Sequence, residues 1–476
     1  MTSGKLLQAL LALPFLGIPS VFALSHDVIN RRAVPTVTIQ NGSISGIQLG
    51  SYAQEGFFGI PYANNPPPRF GRATRHNGSL DGFQATAYSE FCPGFGGDDI
   101  YLYGQGYKAG ESCLTLNIVR PSGYDKGANL PVGVWIYGGG FSNGGSPDHR
   151  YNTTWVVDRS VQMNRPILTV TLNYRVSFFG FPNGQEVVDA HAQNLGLYDQ
   201  QLALQWIQEN IAAFGGDPAK VTIWGQSAGS QSVAYHILGQ GGSTGSSLFR
   251  GGIMESGAAS WNPMYTAGQA QAAFDAIVGN TSCANASSSS NSSVLGCLSS
   301  IPFAELNASV AMSTATWQPN VDGDILQDYP SKLLAAGKVA PVTIMHGCNT
   351  DDSSQAAPKG TNVTKDVSDR LFKSWPNITT DVDVAYVFSN PLPTQNPLGD
   401  RPGDAELAKL MTSMWVSFIN DLTPNNHQIN DTVHWPSYNR RAQDFVFQRF
   451  DPYVEVDDYR SAQIDYINSI GQYLSH

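Results

Sequence analysis

A chain of 476 residues that is 41% hydrophobic can bury a sizeable core in one large α/β domain or in two or three smaller ones. Its formal charge of −11 argues against nucleic acid as a partner, because the phosphates would be repelled. The acidic balance excludes little else, since many exported enzymes are mildly acidic.

The chain opens on "MTSGKLLQALLALPFLGIPSVFALS", in which Lys5 precedes a short apolar run and Val21-Phe22-Ala23 offers small residues where a signal peptidase reads. Residues 1–23 are therefore expected to be a secretory signal cut after Ala23, and the run is too short to span a bilayer. No later stretch is long and apolar enough for a transmembrane span. Residues 24–476 show no charge run, no Pro/Ser linker and no internal repeat, so a single domain is expected. All five cysteines follow the cut: Cys92 with Cys113 and Cys283 with Cys297 are close enough to close short loops, and Cys348 is left over. Ten Asn-x-Ser/Thr sequons (Asn41, Asn77, Asn152, Asn280, Asn285, Asn291, Asn307, Asn362, Asn377 and Asn430) agree with export and glycosylation.

The runs "PVGVWIY", "PILTVTLNY", "KVTIWG", "RGGIM" and "APVTIMHG" are apolar on both faces, as buried parallel strands are. Between them, "YDQQLALQWIQENIAAFGG" sets Leu202, Trp206, Ile207, Ile211 and Phe214 on one helical face, with Gly215 ending it. This alternation predicts a mostly parallel, doubly wound sheet. The first strand runs into three glycines in "VWIYGGGF", which exposes backbone N–H groups that could face a developing oxyanion. Further on, "KVTIWGQSAGSQSVAYHIL" reads as strand, tight turn and helix, with Ser227 inside a Gly-x-Ser-x-Gly turn. A second match, "GGSTG" around Ser243, sits in a Gly/Ser loop with no strand before it and is a chance match. "ASSSSNSS" (286–293) reads as a solvated loop between Cys283 and Cys297.

Taken together, these blocks resemble the type-B carboxylesterase/lipase family, which includes the cholinesterases and many secreted fungal lipases and esterases. The resemblance runs nearly end to end through "FFGIPYANNPPPRF", "GESCLTLNIVRP", "TLNYRVSFFGF", "NLGLYDQQLALQWIQENIAAFGGDPAKVTIWGQSAGS", "SLFRGGIMESGA", "GCNTDDS" and "MWVSFINDLTPN". It implies an α/β-hydrolase fold with a nucleophile elbow, and a serine carboxylic ester hydrolase working through an acyl-enzyme on Ser227. It implies an oxyanion hole from Gly139, Gly140 and the Ala228 amide, and disulfides Cys92–Cys113 and Cys283–Cys297. The first of these loops would border the gorge mouth, where lipases carry a lid. The acid falls on Asp352, with Asp351 beside it, where the family usually has Glu. Gln226 and Ser112 also depart from the commoner Glu and Asp. The partner implied is a small-molecule or lipid ester, with no cofactor and no metal.

The family's histidine follows the acid and precedes an aromatic-Val-Phe segment, matched here by "VAYVF", and counting back from it reaches Thr380. The resemblance therefore implies the loss of a late strand and helices between about residues 376 and 383. Downstream, His427, His434 and His476 remain, of which His434 is the substitute base to test. His236 and His346 read as packing residues. The alternatives to an active esterase are a catalytically inactive, esterase-like binding protein and a truncated gene model of an active enzyme.

Overall fold

The computed structural model describes residues 34–260, 263–286, 293–349, 382–389, 401–439, 442–458 and 461–462. The expected signal segment and its cut, Asp351, Asp352, Thr380 and His476 lie outside these residues. So does the block between 376 and 383, except for its last two positions.

Eight strands form the main sheet: β1 (Ile47–Leu49), β2 (Gln54–Pro61), β3 (Thr115–Pro121), β4 (Leu130–Ile136), β5 (Leu168–Leu172), β6 (Gly216–Gln226), β7 (Gly251–Glu255) and β8 (Thr343–Gly347). Their order is β8-β7-β6-β4-β5-β3-β2-β1. The five strands from β4 to β8 are mutually parallel, and β1 to β3 extend the sheet antiparallel. Every strand read from the sequence is present, and β4 to β7 are buried on both faces because helices cover them. The last, β8, differs: it is exposed except at Met345, and its outer edge has no partner among the described residues.

Helix α3 (Leu195–Asn210) follows the predicted periodicity, runs into a 3₁₀ turn at Ile211–Phe214 and ends at Gly215 with φ 91°. It is not amphipathic in the expected way. Tyr198, Asp199, Gln200, Ala203 and Leu204 are buried as well as the apolar stripe, because both sides of the helix meet other structure. Asp199 is tolerable there because Arg175 clamps it through two bonds of 2.7 Å, while the same guanidinium reaches the carbonyls of Pro68 and Gly71. Ser243 also departs from expectation. It is exposed at the start of a short helix, Ser243–Leu248, rather than in a loop, though still with no strand before it.

Helix α6 (Asp404–Asp421) lies across the sheet, where Arg250 reaches the carbonyls of Ile419 and Asn420. It holds α5 (Val382–Phe388) through Thr412, whose hydroxyl donates to the Val387 carbonyl at 2.8 Å. Phe388 closes an aromatic cluster, with its ring 4.9 Å from Trp135, 5.8 Å from Trp224 and 6.2 Å from Tyr151. Phe388→Ala should cost about 3–5 kcal/mol through lost burial plus a cavity, read as a lower urea midpoint at an unchanged m-value.

Candidate active site

Strand β6 stops at Gln226, and helix α4 (Ala228–Leu238) begins at Ala228. The whole turn is one residue, Ser227, with φ 55° and ψ −121°. A side chain rarely adopts that conformation, and it persists only where surrounding packing enforces it. The packing here is direct. A Cβ on Gly225 would lie 2.5 Å from the Gly229 carbonyl carbon and 2.7 Å from the Ile136 oxygen, and one on Gly229 would lie 2.0 Å from that oxygen. The Ser227 N–H donates to the Glu255 carbonyl at 2.9 Å and its own carbonyl accepts from Gln231, so both sides of the strained peptide are bonded.

The glycine loop that follows β4 folds against this turn. A Cβ on Gly138 would sit 3.1 Å from the Ser227 Cβ. The Gly139 carbonyl is turned inward and accepts from the N–H groups of Ser142 and Asn143 and from the Asn143 amide. That rotation requires positive φ at Gly139 (97°) and Gly140 (62°). The N–H groups of Gly139, Gly140 and Ala228 have no partner among the described residues, and the positive end of the α4 dipole adds to the field there. The site thus sets a half-buried serine at the start of α4 against a glycine loop, with three backbone donors that have no partner among the described residues.

Two tyrosines brace the loop's stem. Tyr137 and Tyr174 stack at 4.4 Å, and each hydroxyl donates to the other's carbonyl at 2.9 Å. Burial drives both phenols well above their ordinary pKa, so they stay neutral donors. On the other side, the buried Glu255 carboxylate accepts from the Trp415 indole at 2.7 Å, which fastens the end of β7 to α6. The sequence reading missed this brace. Its only signal was an acidic residue in "MESG" at the end of an apolar run.

No described side chain hydrogen-bonds the Ser227 hydroxyl. His236 lies within α4, fully buried against Gln200 at 2.9 Å, and burial pushes its pKa down to about 4. His427 is buried with its Nδ1 accepting from Ile429. His434 is exposed beside Asn425, past the carboxyl end of α6. That end of α6 packs at the start of β7, where a Cβ on Gly251 would lie 2.7 Å from Leu422. Ser227 bonds the opposite end of β7, about 13 Å away at the usual strand rise. Among the described residues, His434 bonds Asn425 and makes no hydrogen bond to Ser227. His346 lies one residue before the end of β8, at the carboxyl end of the parallel strands where Ser227 follows β6, with its ring bonded to the Gly257 backbone. The two predicted disulfides, Cys92–Cys113 and Cys283–Cys297, are both formed.

Residues 33–380 match the carboxylesterase family. The chain belongs to that family. Among its relatives, Lipase 4 of Diutina rugosa is 37% identical over 374 residues, which is 72% of this chain and 67% of that one. The secreted triacylglycerol lipase LIP1 of Gibberella zeae is 34% identical over 71% of this chain and 61% of its own length. An inactive carboxylesterase-like protein, VdtD of Byssochlamys spectabilis, is 32% identical over 56% of this chain and 47% of its own. The crystal structure of Aspergillus niger EstA superposes with a TM-score of 0.78 over 93% of this chain and 99% of that chain. At 22% identity, that likeness shows the α/β-hydrolase fold alone. The match to the carboxylesterase family ends at residue 380, the position to which the histidine count leads.

The packing at the turn sets a test of this carboxylesterase elbow. Gly229→Ala should cost more than about 3 kcal/mol, because the obstacle is a backbone carbonyl that cannot move aside. Gly268→Ala, in the helix Ala267–Gly279 with no atom within 4 Å of the added methyl, should be neutral or slightly stabilising. Thermal unfolding midpoints of the two variants check the contrast.

Proposed function

We propose that this protein is a secreted serine carboxylic ester hydrolase acting on small-molecule or lipid esters. The observation that carries the reading is the strained Ser227 turn packed against the glycine loop, with the N–H groups of Gly139, Gly140 and Ala228 unpartnered among the described residues. Ser227 Oγ attacks the ester carbonyl carbon and its proton passes to a base. The N–H groups of Gly139, Gly140 and Ala228 hold the developing oxyanion. The alcohol departs with that proton, and water then releases the acid from the acyl-enzyme. Asp352 is the acid of the triad and Asp351 its substitute. Residues 24–476 form the single hydrolase domain. Secretion is supported by the leader, by the two disulfides and by sequons at exposed Asn77, Asn280, Asn285 and Asn430. The relatives named as lipases support an ester substrate.

A second reading is a non-catalytic binding protein on the same scaffold. It is favoured by the absence, among the described residues, of a base on Ser227, and by kinship to a protein named inactive. Without a base, binding and oxyanion effects alone would leave a residual rate about 10³–10⁴ over water, as in subtilisin-type triad deletions.

Fluorophosphonate labelling of the secreted, folded protein separates the two, because such probes need an activated serine. Labelling that disappears in Ser227→Ala is expected. Folded protein that takes no label would replace the hydrolase with the scaffold.

A further inference from the structure

The segment between Cys92 and Cys113 carries helix α1 (Gly97–Gly104), which shows Ile100 and Tyr103 to solvent and buries Leu102 and Asp99. It lies directly on the glycine loop. Phe95 N–H donates to the Ser142 carbonyl at 2.8 Å, and Asp98 N–H donates to the Asn143 side chain at 3.3 Å. The same Asn143 side chain donates to the Gly139 carbonyl. Contact is close enough that a Cβ on Gly94 would lie 2.6 Å from the Ser142 oxygen, and one on Gly96 2.2 Å from the Asn143 amide. At the centre of this contact, one Asp99 oxygen accepts from the Gly144 N–H at 3.2 Å. The other is buried with no partner among the described residues.

An ionised carboxylate cannot rest comfortably there. The groups facing it are Asp98 and Tyr103 from α1 and Tyr137 from the loop's stem, none of which is a cation aimed at it. The Arg150 guanidinium that pairs with the neighbouring Asp98 is also held by Asp148. Asp99 has no role in the ester chemistry derived above, yet it bonds the loop that presents Gly139 and Gly140.

We propose that Asp99 is a positioning residue, whose protonated carboxyl clamps α1 to the glycine loop and so holds the oxyanion donors in place. Burial is the main reason the proton stays, pushing the carboxyl up to about 7, with the Asp98 charge adding to the effect and the Gly144 N–H opposing it. Once α1 lifts, Asp99 is an ordinary solvated carboxyl that titrates near ~4. The released state therefore loses its proton first as pH rises. The clamp is at full strength below about pH 4 and weakens by up to about tenfold per pH unit until about pH 7, where the dependence ends. The clamp rests on the hydrolase reading only for its consequence at the ester, since the loop contact exists with or without turnover.

The test is hydrogen exchange of the full secreted chain, read as protection factors so that the intrinsic pH dependence cancels, in peptides covering Phe95–Gln105 and Ser142–Gly145. Protection in the unaltered protein should fall about tenfold per unit between about pH 5 and 7. In Asp99→Asn, which keeps an acceptor for Gly144 but cannot ionise, protection should stay flat. Equal pH dependence in the two proteins would overturn the clamp. If Asp99→Asn does not accumulate, the unaltered protein decides alone, and constant protection over that range overturns it. A protein that shows the fall but takes no fluorophosphonate keeps the clamp and loses the hydrolase reading.

Discussion

The approach of the Ile136 carbonyl to the turn after β6 is the constraint on which the site depends. Two backbones meet at a distance that leaves no room for a Cβ on Gly225 or Gly229. That contact brings the end of β4, the end of β6 and the start of α4 to one point, and forces Ser227 into its strained conformation. Strain of this kind costs on the order of 1–3 kcal/mol and survives only where the surroundings over-determine it. Here they do. Ser227 is bonded to β7 through Glu255 and to its own helix through Gln231, and Gly138 abuts its Cβ.

Around that point, buried polar pairs carry much of the stabilisation. Arg175 and Asp199 join the end of β5 to α3, Tyr137 and Tyr174 join the stems of two loops, and Glu255 and Trp415 join β7 to α6. Each arrangement would be costly if half removed, since the partner would be left desolvated and unpaired. They link the ends of neighbouring strands, which is where a site built from loops needs rigidity. Asp99 contributes less to this bracing, with one oxygen on the Gly144 N–H and the other buried with no partner among the described residues.

The donors and the base belong to different parts of the chain. Three N–H groups from two turns are properties of backbone conformation, and they are present wherever the fold holds those turns. A base is a single side chain, delivered in the carboxylesterase family by a segment after the acid. In this protein the sheet's described edge is β8, and the family match stops at residue 380. Open backbone donors and a serine hydroxyl with no hydrogen-bond partner among the described residues can therefore coexist, because nothing in the packing at Ile136 depends on a histidine.

Much of the scaffold was legible from the sequence because its signals are local. Doubly apolar runs identified β4 to β8, and Gly-x-Ser-x-Gly after one of them located the elbow. Spacing and resemblance together paired the cysteines. Local pattern could not tell that α3 is buried on most of its surface, or that Ser243 opens a helix, since both depend on what packs beside them. Nor could it place histidines: His236 turned out to be buried in α4, and His434 sits exposed against Asn425, because distance along the chain carries no information about what a loop packs beside. The sequence by itself determined the fold class, the elbow and its serine, because glycine spacing and strand apolarity are written residue by residue. Only the tertiary structure decided the backbone donors left open among the described residues, the braces that hold them and the burial of the Asp99 carboxyl against the Gly144 N–H, because each arises where segments distant in sequence exclude water from one another.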